Sequence, residues 1–124
     1  MARVLVVDDN KDMVDTTTAL LAAEGHLVFG CYSGMEVQSC VRQHDPDVVL
    51  LDIRMPGKDG WTVAREIRDE WPGKRPMLIA ITGEHPRSGH ASKRAEVPGF
   101  DHFLLKHAEH DELLALISKA PTRR

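Results

Sequence analysis

The chain has 124 residues, 42% hydrophobic and 28% charged, which is the size and polarity of one globular domain with a single core. Its formal charge is −3 and its lysines and arginines are scattered among acidic residues, which argues against direct nucleic-acid binding. No apolar run approaches the roughly 20 residues that span a bilayer, the opening MARVLVVDDN has no secretion signal, and Cys31 and Cys40 form no CxxC pair. A cytoplasmic, thiol-reduced protein with no membrane span is expected.

In chain order, Arg3 to Val7 predicts a first strand, which begins so soon after Met1 that a natural N-terminus is expected. Met13, Thr17, Leu20 and Leu21 have helical spacing, and Gly25 follows them. Leu27 to Phe29 is a weaker strand. Ser33-Gly34-Met35-Glu36 reads as a capping box that opens a helix carrying Val37, Cys40 and Val41. Asp47 to Leu51 predicts the third strand, and Val63, Ala64 and Ile67 mark a helix ended by Trp71-Pro72-Gly73. Met77 to Ile81 predicts the fourth strand. The segment from Pro86 to Pro98 has only Ala91, Ala95 and Val97 as apolar residues and contains Gly89, so a short or loosely held helix is expected there. His102 to Leu105 predicts the fifth strand, and Leu113, Leu114 and Ile117 the last helix, before a frayed tail at residues 121–124. Apolar strands joined by helical crossovers imply an α/β sandwich, doubly wound around a parallel sheet.

Ligands of such sheets bind beyond the carboxyl ends of the strands. Asp8 and Asp9 follow the first strand, Asp52 the third, Thr82 the fourth and Lys106 the fifth. Each alone has an ordinary reading, as a helix cap or a solvated charge, and Met55-Pro56-Gly57 alone reads better as a tight turn. Jointly, three carboxylates on one small region repel each other and call for a cation. Hard oxygens without His or Cys suit Mg2+, and Lys106 brings the ensemble to formal neutrality. Such a site holds a phosphoryl group, and Asp52 is placed to be the nucleophile that accepts it.

VLVVDDN at residues 4 to 10, DVVLLDIRMPGKDG at 47 to 60, AITG at 80 to 83 and FDHFLLK at 100 to 106 closely resemble two-component receiver domains, in order and at compatible spacing. The resemblance implies a flavodoxin-like (βα)5 fold of strand order 2-1-3-4-5 over residues 1–120. It implies a regulatory switch rather than an enzyme, one that assists its own phosphorylation and dephosphorylation. Asp52 would accept a phosphoryl group from a histidine kinase or a histidine phosphotransfer protein. Mg2+ would be held by Asp9, Asp52 and the Arg54 backbone carbonyl, with Asp8 orienting a metal-bound water. Lys106 would pair with the phosphoryl group and Thr82 would move to hydrogen-bond it. Phe103 matches the aromatic that follows Thr82, or is an ordinary core aromatic. Arg54 and Glu84 would lie over the phosphoryl group and influence its hydrolysis.

Three features stand out against the family pattern, one of them the opposite charges of Arg54 and Glu84, which would pair across the site as a gate against water rather than as a stabiliser. His107 stands where proline usually follows the lysine, so either a trans bond with a rearranged loop or a strained cis bond is expected; a surface role for His107 outweighs contact with the phosphoryl group or a partner. Pro98 should end or kink the helix before it. A haloacid dehalogenase-type phosphatase would need an acid where Arg54 stands. A flavin or nucleotide binder would need a phosphate loop where Asp8-Asp9-Asn10-Lys11 stands. The remaining alternative is a receiver-fold binding module that works without phosphorylation, against which the five intact site residues argue.

Overall fold

The computed structural model describes residues 1–54, 58–73, 75–82, 100–105 and 110–120. The elements run β1 (Arg3–Val7), α1 (Lys11–Ala23), β2 (Leu27–Cys31), a 3₁₀ turn (Gly34–Glu36), α2 (Val37–His44), β3 (Val48–Asp52), α3 (Gly60–Glu70), β4 (Met77–Thr82), β5 (His102–Leu105) and α4 (His110–Ile117). The expected helix between Pro86 and Pro98, Pro98 itself and the tail 121–124 lie outside the described residues.

All strand pairs are parallel and the sheet order is β2-β1-β3-β4-β5, as the resemblance implies. Successive strand side chains point to opposite faces, and the registers Leu5↔Val49 and Val49↔Leu78 bring like faces together. One layer of core is therefore Leu5, Val7, Val49, Leu51 and Leu78 under Val37 and Val41 of α2 and Val63, Ala64 and Ile67 of α3. The other is Val4, Val6, Val48, Leu50, Met77 and Ile79 under Val14 and Leu21 of α1 and Ile117 of α4. Each large side chain so buried contributes about 1.5–3 kcal/mol relative to exposure. β3 is central and buried at every position. β2 is an edge strand buried fully only at Cys31, which is why its apolar signal is weak.

Helix starts carry the expected chemistry, with one difference. The Asn10 side chain accepts from the Asp12 and Met13 N–H groups at the start of α1, and Asp59 accepts from Thr62 N–H at the start of α3. Ser33 does not form the expected capping box. Its hydroxyl accepts from Met35 N–H, while Glu36 N–H donates to the Ser33 carbonyl, which closes a 3₁₀ turn. α2 starts one turn later, after Glu36, with no side-chain cap. The tighter turn satisfies with main chain the Glu36 N–H that a capping box would satisfy with the Ser33 hydroxyl.

At the amino ends of the strands, Asp47 is 2% exposed and accepts from Arg3 N–H at 2.8 Å and from Arg75 Nε at 2.7 Å. Arg75 also donates to the carboxylate and the carbonyl of Asp45, the left-handed C-cap of α2. Burial pulls the Arg75 pKa down, but its bonds to Asp47 and Asp45 outweigh that and leave it raised. No helix among the described residues is long and apolar enough to cross a membrane.

Candidate functional site

Parallel strands that start together also finish together, so the residues that end β1 and β3 become neighbours. Val7 pairs with Leu51, and one step further lie Asp8 and Asp52. Asp8, Asp9 and Asp52 each offer a carboxylate oxygen, and the three oxygens lie within 4.8 Å of one another. Asp8 is 4% and Asp52 2% exposed, whereas Asp9 faces solvent. Two unit charges about 5 Å apart repel by roughly 3 kcal/mol at an effective dielectric of about 20.

Local backbone holds the two buried carboxylates in this unfavourable proximity. Asp8 Oδ1 accepts from Asn10 N–H at 3.0 Å, and Asp52 Oδ1 accepts from Arg54 N–H at 3.2 Å. Flanking main chain ties both residues to the sheet, with Asp8 N–H donating to Cys31 O and Ile53 N–H to Ile81 O. Gly60, the first residue of α3, lies against the back of the acceptor turn and donates its N–H to Ile53 O at 2.9 Å. A Cβ on Gly60 would stand 2.7 Å from both the Asp52 carbonyl oxygen and Ile53 Cα, so only glycine lets α3 approach so closely. Three hard oxygens with no thiolate or imidazole among them suit Mg2+ or a similar cation, which takes one or two carboxylates and keeps its other positions for water and phosphate oxygen.

Of the other expected site residues, Thr82 closes β4 one step beyond Ile81, the register partner of Asp52. Its backbone faces Leu105 of β5. The Thr82 side chain, Lys106, Glu84 and His107 lie outside the described residues. The Arg54 side chain is exposed. Phe103 is half-buried in β5 and stands in an aromatic cluster, with ring centroids 6.4 Å from Trp61 and 5.9 Å from Phe100; Trp61 and Phe100 meet edge to face at 5.7 Å. That cluster is missing from the sequence reading. Its signal was one aromatic at the start of α3 and two in or just before β5, but nothing in their spacing says that they touch. The groove of about 600 Å³ lined by Arg68, Met77, Asp101 and Lys119 among others opens at the amino end of β4, away from the carboxylates.

Residues 4–118 match the profile of the response regulator receiver domain. Among solved structures, the response regulator TrrA of Thermotoga maritima, in complex with Mg2+-BeF, is 30% identical with a TM-score of 0.81, over 96% of this chain and 98% of that one. The receiver domain of a Pseudomonas aeruginosa sensor histidine kinase, with magnesium coordinated in its active-site cleft, is 26% identical with a TM-score of 0.82, over 96% of each chain. The chemotaxis protein CheY4 of Vibrio cholerae shares the fold at a TM-score of 0.85 and 23% identity, over 98% of this chain and 99% of that one.

Proposed function

The chain belongs to the response regulator receiver domain family, and on that premise we propose that it is a phosphorelay switch whose Asp52 accepts a phosphoryl group from a phosphohistidine donor. The observation that carries this reading is the convergence of Asp8, Asp9 and Asp52 at the carboxyl edge of the sheet, on adjacent strands β1 and β3. An acidic cluster repels an incoming phosphoryl group unless a cation accompanies it. The residues present fit Mg2+, and the relatives from Thermotoga and Pseudomonas are described with it.

Mg2+, when bound, screens the carboxylates from the phosphoryl oxygens. Asp9, Asp52 and the Arg54 backbone carbonyl would hold it, and Asp8 would orient a water beside it. The Asp52 oxygen attacks phosphorus as the phosphorus–nitrogen bond of the donor breaks, and the electron pair stays with the imidazole. Lys106 pairs with the transferred group. The Thr82 hydroxyl donates to one of its oxygens, and Phe103 responds, relaying a local charge change to the outer face. Arg54 and Glu84 modulate the lifetime of the acyl phosphate. The donor is a histidine kinase or a histidine phosphotransfer protein.

The test is the intact mass after acetyl phosphate treatment, with and without Mg2+, for the wild type and Asp52→Asn. A Mg2+-dependent gain of one phosphoryl group, absent from Asp52→Asn, is expected. A folded wild type that gains nothing from acetyl phosphate or from purified phosphohistidine donors would instead be a receiver-fold binding module that acts without phosphorylation.

A further inference from the structure

The turn that carries Asp8 and Asp9 out of β1 ends on Asn10, which is bonded on both sides of itself. Toward β1, its N–H donates to Asp8 Oδ1 at 3.0 Å and closes an Asx turn around Asp9. Toward α1, its side-chain oxygen accepts from Asp12 N–H at 3.0 Å and from Met13 N–H at 3.3 Å, and its carbonyl accepts from Val14 N–H at 3.2 Å. The bonds run without a gap from Asp8 to Val14.

Sheet and helix hold the two ends of this stretch. Asp8 N–H donates to Cys31 O of β2, and α1 is seated by Val14 and Leu21, each 1% exposed. Asp9 hangs between them with its side chain exposed, so the turn, not packing, sets where its carboxylate stands relative to those of Asp8 and Asp52. Like charges this close push the turn open. The Asn10 bonds resist that opening, and those of its side chain can be removed by substitution.

We infer that Asn10 is a positioning residue for the cation site: by gripping the first turn of α1, its side-chain oxygen holds the turn from Asp8 to Asn10 in the shape that keeps Asp8 and Asp9 beside Asp52. This rests on the reading that Asp9 and Asp52 hold Mg2+. A cap that served α1 alone would contribute stability and leave cation binding as it was. Outer supports of metal sites alter affinity by about 10-fold or more when removed, although they touch no metal.

The experiment is a Mg2+ titration of the full chain followed by backbone amide NMR, with urea midpoints of the metal-free proteins measured alongside. Asn10→Ala, Asn10→Gly and Asn10→Ser all keep the charge of the site. Asn10→Ala loses the cap oxygen and is expected to raise the Mg2+ dissociation constant on the order of 10-fold, with a lower urea midpoint. Asn10→Gly loses the same oxygen in a residue that helix starts accept at little cost, so it should weaken Mg2+ binding to a similar extent while its midpoint stays near that of wild type. Asn10→Ser restores an acceptor for the same N–H groups and should bind Mg2+ as the wild type does. Three results overturn the role of Asn10 and leave the site as read: wild-type affinity in folded Asn10→Ala or Asn10→Gly, weakening in Asn10→Ser as deep as in Asn10→Ala, or loss of the fold in both Asn10→Ala and Asn10→Gly. A wild-type chain whose Asp9 and Asp52 amides do not respond to Mg2+ overturns the reading of the site as well.

Discussion

A thiol placed as Cys31 is, 1% exposed at the end of β2, resists ionisation. Burial foremost, then the neighbouring Cys40 thiol and the Glu36 charge, pushes its pKa from the ordinary 9.0 up to about 12. The folded pKa lies above the unfolded one, so between them the folded state binds more protons. Stability from the protonated thiol is complete below pH 9.0 and is lost as pH rises toward about 12. Cys31→Ala should therefore be less stable than wild type near pH 8 through lost packing, and the gap should narrow steadily up to pH 11. Urea midpoints across that range check it.

At the level of elements, the amino ends of β1, β3 and β4 and the end of α2 are fastened by Asp47, Asp45, Arg3 and Arg75. Asp47→Ala leaves the Arg3 N–H without its carboxylate and Arg75 half-paired. A loss of about 2–3 kcal/mol in chemical denaturation is expected, below the range for a fully buried pair because Arg75 reaches solvent. Asp47→Asn, which keeps one acceptor, should lose less. This network was illegible in the sequence, where its members stand up to 72 positions apart and look like ordinary surface charges. The strands were legible, because β1, β3 and β4 are buried on both faces and so read as continuous apolar runs. The 3₁₀ turn was not, since Ser33 and Glu36 carry the same side chains whichever way the turn closes.

For the whole molecule, the acidic edge sets function against stability. Without Mg2+, Asp52→Asn removes a charge from a cluster that repels itself and should be more stable than wild type by about 1–3 kcal/mol. Added Mg2+ should raise the wild-type melting temperature and narrow that lead, since a ligand that binds only the folded chain stabilises it by mass action. Melting curves of both proteins over a Mg2+ series check this. The convergence of Asp8, Asp9 and Asp52 was legible because each follows a strand that the apolar pattern delimits. The Gly60 approach and the Trp61, Phe100 and Phe103 cluster were not, since they depend on how deeply α3 seats on the sheet. The sheet also divides inheritance within the molecule. The clustered strand residues each serve one helix layer or the other, so the core residues under α2 and α3 are separate from those under α1 and α4. Changes accepted in one layer leave the other's tolerances as they were, and lineages can rewrite one side of this chain while the opposite side keeps its ancestral packing.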